Sequence, residues 1–266
     1  MTLQHILILA VVQGLTEFLP VSSSGHLALI GPLTGLPDQG LDMDIAVHAG
    51  TLLAVMVYFY RDVWSMARGV WLSALRRRDP DVRLVMNVFI ASLPLVLVGY
   101  FMRDIVAHLL RNPEIIAWAT IGFGLLLWLA DAVGMTIRKV EHINPGMALI
   151  LGCAQVLALI PGASRSGVTM TAGRLLGMER ASAARFSMLM SIPALLGAGT
   201  LLAADVLSRE DWALGMDALI GGGLAFVAAL LAIAVMMAWL RRASFRIFVI
   251  YRLLLGGGLL FWLYYV

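Results

Sequence analysis

The hydrophobic residues of this 266-residue chain fall in long blocks that are separated by short polar segments. An apolar helix needs about 20 residues to cross a bilayer. The blocks of that order of length predict six membrane-spanning helices, at residues 45–60, 84–102, 114–134, 183–204, 217–240 and 247–266. Block 45–60 is the shortest, and it would need flanking residues or a locally thinned bilayer to span.

Two further apolar regions, residues 3–36 and 146–176, are interrupted near the middle. The interruptions begin at Pro20 (PVSSSGH) and at Pro161 (PGASRSG). Proline ends a helix and a hydroxyl residue caps the next one, so each region predicts two half-helices too short to span. Irregular backbone at membrane depth survives only where protein or a wet cavity covers it. We therefore expect two re-entrant helical hairpins within an all-α integral membrane protein.

The distribution of basic residues supports this arrangement. Suppose that loop 61–83 is cytoplasmic; loops 135–144, 177–182 and 241–246 then fall on the same side. The inner loops hold 12 Lys and Arg residues, including Arg76, Arg77 and Arg78, whereas the outer loops hold three, Arg103, Arg111 and Arg209. This ratio satisfies the positive-inside rule only if both hairpins return to the side from which they enter.

The same arrangement divides the chain near residue 140. Residues 1–140 and 141–266 each contain one hairpin followed by three spans, and the two hairpins enter from opposite faces. The halves are therefore predicted to be inverted repeats, a design that places its binding site where the repeats meet. The two interrupted motifs also show a weak similarity to each other, since Gln13 lies seven residues before Pro20 and Gln155 lies six before Pro161.

Composition agrees with a chain that is solvated by lipid. Hydrophobic residues make up 61% of it and charged residues 13%, against about a quarter charged in a soluble domain. The net charge is +3, and the arginines lie between apolar blocks, so we expect no nucleic-acid partner. The single cysteine, Cys153, excludes an intrachain disulfide. The first apolar run lacks a basic n-region and a cleavage site, and we expect it to be retained.

The first interruption combines an acid, hydroxyls and a histidine. Gln13 and Glu17 are four residues apart and share one helix face. An acid such as Glu17 inside an apolar segment suggests function by default. The serine triplet 22–24 starts the next half-helix, where unpaired N–H groups and the positive dipole end suit an anion. His26 falls near the same point.

The second interruption supplies another half-helix N-terminus together with a fixed positive charge. The planar guanidinium of Arg165 matches phosphate oxygens, and Ser164, Ser166 and Thr169 add hydroxyl donors. Two helix N-termini and one arginine at mid-depth suit a phosphate or a diphosphate better than a cation or a sugar. A structural Glu17–Arg165 ion pair and a packing role for His26 are the alternatives.

At these residues the sequence resembles a known family. The strings EFLPVSSSGH and PGASRSGVT are similar to the two signature regions of the undecaprenyl-diphosphate phosphatases, the bacitracin-resistance membrane phosphatases. The resemblance covers nearly the whole chain, including FSMLMSIPALLGA at 186–198 and YRLLLG from Tyr251. It implies hydrolysis of undecaprenyl diphosphate to the monophosphate and inorganic phosphate, which recycles the lipid carrier of peptidoglycan synthesis. It also implies a bacterial inner-membrane location, a site open to the periplasm, and a divalent cation, Mg²⁺ or Ca²⁺.

The resemblance also implies roles for individual residues. The family's acidic pair falls on Gln13 and Glu17, and Glu17 is then the catalytic acid and the metal ligand. The nucleophile matches Ser23 and the proton-transfer histidine matches His26. The remaining substrate-binding positions are Ser24, Ser164, Arg165, Ser166 and Thr169. The chain departs from the family at Arg185, where a glutamate is usual.

A mechanism follows as a hypothesis. Ser23 attacks the terminal phosphorus while His26 takes its proton, and water then cleaves the phosphoserine. Direct attack by water that His26 activates is left open, as are the roles of His48 and Arg252. The sequence is also compatible with a homodimer. The alternative function is a transporter of phosphorylated lipid or small anions, because inverted repeats and half-helices fit it equally well.

Overall fold

A computed structural model of the protein describes residues 1–35, 40–75, 79–108, 112–207 and 212–265. The predicted all-α class is confirmed for these residues, whose named elements are all helices. Two short 3-10 helices, Val140–His142 and Leu157–Leu159, accompany the α-helices. The α-helices in chain order are α1 (Leu3–Thr16), α2 (Ser23–Thr34), α3 (Gly40–Tyr58), α4 (Tyr60–Ala74), α5 (Pro80–His108), α6 (Pro113–Val133), α7 (Pro145–Val156), α8 (Arg165–Leu175), α9 (Arg180–Leu207), α10 (Trp212–Leu240) and α11 (Arg246–Tyr265).

Among the described residues, four helices are long and apolar enough to cross a membrane. They are Pro80–Met102, Pro113–Val133, Gly215–Leu240 and Arg246–Tyr265. These helices coincide with four of the predicted spans, and the chain is an integral membrane protein. The predicted span at 45–60 falls on α3, which passes the same test only together with α4. The arginines at 76–78, 111 and 209, which entered the charge count, lie outside the described residues.

The prediction that residues 61–83 form a loop is wrong, because α4 occupies Tyr60–Ala74. This helix turns by 88° from α3 at Phe59. Its buried side chains recur at helical spacing, and its opposite face exposes Trp64 and Trp71, at 74% and 69%. Interspersed arginines lower the mean hydropathy of the segment, so it does not stand out as an apolar block although its apolar positions follow a helical period. The exposed tryptophans are of the type that anchors helices at a membrane interface.

Both predicted interruptions coincide with breaks between helices. The first separates α1 from α2, and the second separates α7 and its 3-10 extension from α8. At 1.5 Å per residue, the 14 residues of α1 reach about 21 Å, which is less than the roughly 30 Å of a bilayer core. None of these four α-helices is therefore long enough to cross by itself.

Close helix packing brings the two breaks together. A Cβ on Gly14 of α1 would lie 2.8 Å from the Ala225 carbonyl oxygen of α10, so only glycine permits this approach. In the same way, a Cβ on Gly152 of α7 would lie 2.6 Å from the Ala91 carbonyl oxygen of α5. Such small-residue contacts are typical of helix association in membranes. The first half-helix of each pair thus packs on a long helix from the other half of the chain.

Candidate active site

The second half-helix of each pair begins at a serine with unusual backbone geometry. Ser22 and Ser164 have φ angles of 74° and 69°, in the left-handed region that side chains other than glycine rarely adopt. Their hydroxyls accept hydrogen bonds from the amides of Gly25 (3.3 Å) and Gly167 (3.2 Å), and so cap α2 and α8. Residues held in such conformations cost about 1–3 kcal/mol and cluster at functional sites.

The two capping serines belong to a set of matching positions. Ser22 and Ser164 are 142 residues apart (164 minus 22), and the caps of α1 and α7, Thr2 and Asn144, have the same separation. So do the left-handed glycines that follow α2 and α8, Gly35 and Gly177. In this frame Ser22-Ser23-Ser24-Gly25 matches Ser164-Arg165-Ser166-Gly167. Ser23 and Arg165 therefore hold equivalent positions in the two motifs.

Glu17 is the centre of the site, and both equivalent side chains bind it. The Arg165 Nη2 atom lies 2.6 Å from Glu17 Oε1, and the Ser23 hydroxyl donates to Glu17 Oε2 at 2.7 Å. Glu17 is 8% exposed, and it sits in the break between α1 and α2. The carboxylate thus joins the first residue of α2 to the first residue of α8.

Two more side chains complete the surroundings of Glu17. The Gln13 amide, one helical turn earlier, donates from Nε2 to Glu17 Oε2 at 2.9 Å, and its Oε1 is buried with no partner among the described residues. His48 on α3 places Nε2 at 3.8 Å from Glu17 Oε2. The sequence left the role of His48 open, and the structure places it at the site.

The Glu17–Arg165 ion pair that sequence analysis kept as an alternative is present. It does not use the whole guanidinium, because Arg165 Nη1 is buried and has no hydrogen-bond partner in the described part of the chain. A buried donor without a partner is costly, and a phosphate oxygen would satisfy it. The pair therefore fits an anion site as well as a structural contact.

The hydroxyls around Arg165 are engaged within the protein. Ser166 donates to the Leu19 carbonyl at 2.9 Å, which ties the second break to the first, and it lies 3.1 Å from the capping Ser164. Thr169 lies 2.6 Å from the Ser187 hydroxyl of α9 and 2.8 Å from the Arg165 carbonyl. Thr169 therefore packs α8 on α9, and its predicted contact with substrate stays a prediction.

Among the described residues no hydrogen bond joins His26 to Ser23, and the proton transfer expected from sequence stays a prediction. The Nδ1 of His26 lies 2.7 Å from the Ser22 carbonyl oxygen, and its Nε2 lies 2.5 Å from the hydroxyl of Tyr251 on α11. The proton of the Ser23 hydroxyl is directed to Glu17 instead. Ser24, beside Ser23, is exposed, and its hydroxyl lies 3.4 Å from that of Ser22.

Arg252 lies behind the site rather than in it. The side chain is fully buried in α11, and within the described residues its hydrogen bonds go to backbone carbonyls. Those carbonyls belong to Pro20 of the first break, Gly162 and Ala163 of the second, and Ala119 and Thr120 of α6. Arg252 thus ties both irregular segments to α6 and α11.

Taken together, the fold and the site define a polytopic helical membrane protein in which two broken helices bring a serine, a carboxylate and an arginine into contact. The model of the bacitracin resistance protein BacA family matches residues 6–258, and the chain belongs to this family.

The chain is also similar over nearly its full length to curated relatives. It is 46% identical to the Undecaprenyl-diphosphatase of Roseobacter denitrificans, with 99% of this chain and 100% of the relative covered. It is 49% identical to Undecaprenyl-diphosphatase 1 of Rhodospirillum rubrum, with 98% and 95% covered. The Undecaprenyl-diphosphatase of Alteromonas mediterranea is 45% identical, with 99% and 100% covered.

Proposed function

We propose that the protein hydrolyses undecaprenyl diphosphate to undecaprenyl phosphate and inorganic phosphate. The observation that carries this proposal is the contact of Ser23 and Arg165, from two different helix N-termini, with the one carboxylate of Glu17. A nucleophile, its proton acceptor and a phosphate-binding cation are thereby within reach of one phosphorus atom. The family and the names of the relatives support the same activity. The product restores the lipid carrier of peptidoglycan synthesis, and a role in bacitracin resistance is consistent with the family name.

Binding begins with the positive groups. The Nη1 of Arg165 and the first-turn N–H groups of α2 and α8 hold the terminal phosphate, since helix N-termini favour anions. Ser23 Oγ then attacks the terminal phosphorus as Glu17 Oε2, at 2.7 Å, takes its proton. The P–O bond to the bridging oxygen breaks, and undecaprenyl phosphate leaves. Water cleaves the phosphoserine, releases inorganic phosphate and restores the Ser23 hydroxyl.

This assignment changes the roles of two residues from those expected from sequence. Glu17, rather than His26, is the base for Ser23, because it is the group to which Ser23 donates. His26 lies one helical turn after Ser23, and it serves the leaving phosphate or the hydrolytic water. Direct attack by water remains the competing route, with Ser23 then acting as a hydrogen-bond donor to the phosphate.

The expected divalent cation needs donors that the site does not offer in this state. No cluster of three His, Cys, Asp or Glu side chains able to hold a metal occurs in the described ranges. Both oxygens of Glu17 already accept hydrogen bonds, and the positive Arg165 lies 2.6 Å away. The residues present do not fit a resident cation, and we derive no step through one. Equilibrium binding of Ca²⁺ to the substrate-free protein tests this point.

The membrane arrangement belongs to the same proposal. Six spans and two re-entrant hairpins form an inverted repeat in the bacterial inner membrane, with the site open to the periplasm. The matching caps and glycines 142 residues apart support the repeat (144 minus 2 and 177 minus 35, for example). So does the crossed packing of α1 on α10 and α7 on α5.

Phosphate release from undecaprenyl diphosphate by the purified protein in detergent tests the activity. The proposal expects release that Glu17→Gln and Arg165→Ala reduce strongly. A transporter of phosphorylated lipid or small anions would instead move its ligand across vesicles and release no phosphate in detergent. The Ser23–Glu17 hydrogen bond favours the hydrolase, because a carrier needs cations in its site but no activated nucleophile.

A further inference from the structure

Tyr251 contacts His26 across the two halves of the chain. Its hydroxyl lies 2.5 Å from His26 Nε2, although 225 residues separate the two positions. The rings are nearly parallel, with an interplanar angle of 8° and a centroid separation of 5.6 Å. The contact therefore combines a hydrogen bond with an aromatic stack, and no role for Tyr251 follows from the motifs.

The hydrogen-bond partners define the protonation of the neutral ring. A carbonyl oxygen can only accept, so Nδ1, at 2.7 Å from the Ser22 carbonyl, carries the proton. Nε2 is then the acceptor and receives the Tyr251 hydroxyl hydrogen. Ser22 is itself fixed by its left-handed backbone and its cap on α2. The ring is thus held at both nitrogens, with Nε2 kept as its basic atom.

The position of Tyr251 is fixed by its neighbour. Arg252 binds carbonyls of both breaks and of α6, and these bonds set the height and rotation of α11 against the site. Tyr251 itself is 41% exposed, so simple burial does not explain its orientation towards His26. The hydrogen bonds of Arg252 fix the position of α11, and α11 in turn holds the Tyr251 hydroxyl against His26.

We infer that Tyr251 is a positioning residue for His26 in the proposed reaction. It keeps the imidazole in one tautomer and one plane, with Nδ1 as the donor to the Ser22 carbonyl and Nε2 as the unprotonated nitrogen. This inference rests on the proposed function for its kinetic consequences, but the geometry of the ring can be measured without substrate.

The test compares Tyr251→Phe, which keeps the stack and removes the hydroxyl, with Tyr265→Phe, an exposed position on the same helix. Loss of one hydrogen bond predicts a fall in kcat of about three- to tenfold, with KM changed less than about twofold. The pH–rate profile of Tyr251→Phe also changes shape, whereas that of Tyr265→Phe does not. In a His26→Ala background, Tyr251→Phe has no further effect.

An equal loss in both backgrounds, or no loss in either, overturns the inference. If His26→Ala leaves too little activity to compare, NMR of ¹⁵N-histidine-labelled protein decides. The ¹⁵N signals of the His26 ring are assigned by their absence from His26→Ala. If the inference holds, these signals shift in Tyr251→Phe and are unchanged in Tyr265→Phe. Unchanged His26 signals in Tyr251→Phe would contradict it. A wild-type protein that releases no phosphate defeats the proposed function, while the NMR result still decides the role of Tyr251.

Discussion

Glu17 and Arg165 are 148 residues apart in sequence, and they form an ion pair with 2.6 Å between Oε1 and Nη2. Glu17 follows the first half-helix of one motif, and Arg165 begins the second half-helix of the other. Buried charges in a membrane protein are retained where they are paired or take part in function. In our account Glu17 and Arg165 pair with each other and also act in the reaction. In the proposed reaction the phosphate binds Arg165 Nη1, while Nη2 stays paired with Glu17.

Removal of the Arg165 guanidinium should abolish most of the activity. Because the guanidinium stabilises charge on the transferring phosphate, Arg165→Ala lowers kcat/KM by about 10²–10³-fold. Arg165→Lys keeps the charge but loses the planar fork, so its kcat/KM lies between those of wild type and Arg165→Ala. Phosphate release from the purified variants measures both, with the exposed Arg241→Ala as control. Near-normal turnover of Arg165→Ala would remove it from the site.

Ser23→Ala separates the two routes of attack. The covalent route predicts that Ser23→Ala loses turnover. It also predicts that acid quenching traps a phosphoserine from labelled substrate in wild type but not in Ser23→Ala. The matched control is Ser73→Ala, which removes an exposed hydroxyl that donates to the Val70 carbonyl of its own helix. If Ser23→Ala keeps more than about a tenth of the normal rate, water attacks directly.

Thr169→Val tests whether Thr169 binds substrate or packs helices. The structure predicts a lower melting temperature, because the variant removes the bond to Ser187 and costs about 0.5–1.5 kcal/mol. It also predicts KM and kcat within about threefold of wild type at a temperature where both proteins are folded. A large rise in KM without a change in melting temperature would restore the role expected from sequence.

Two glycines test the contact of Arg252 with the second motif. A Cβ on Gly167 would lie 2.8 Å from Arg252 Nη1, whereas a Cβ on Gly258, on the same helix as Arg252, meets nothing within 4 Å. Gly167→Ala therefore displaces Arg252 from its carbonyls, and it lowers both melting temperature and activity. Gly258→Ala leaves both within error. If the two variants have the same melting temperature and activity, Arg252 does not hold the second motif in place.

The local features of the fold and site could be predicted because they depend on neighbours in sequence. Proline, capping serines and glycine mark both breaks, and Glu17 stands out as an acid in an apolar run. The two prolines are not matching positions, since Gln13 lies seven residues before Pro20 and Gln155 six before Pro161. Alignment of Ser22 with Ser164 places Gln13 and Gln155 at equal distance from them and pairs Ser23 with Arg165.

Features that depend on distant contacts could not be read from the sequence. Tyr251 reaches His26, and Arg252 reaches both breaks, only because α11 packs against α6. In the sequence, Tyr251 is one aromatic residue in an apolar helix, and Arg252 is an unexplained charge. The family resemblance implies that the Ser23 proton goes to His26, whereas the Ser23 hydroxyl donates to Glu17 in the structure.

A double-mutant cycle on Glu17 and Arg165 tests most directly whether the two breaks form one site. Phosphate release is measured for wild type, Glu17→Gln, Arg165→Ala and the double variant under the same conditions. If both residues act on one phosphate, the double variant departs from the product of the single effects by at least about tenfold. Effects that multiply within about twofold would show that the residues act independently and would contradict the account.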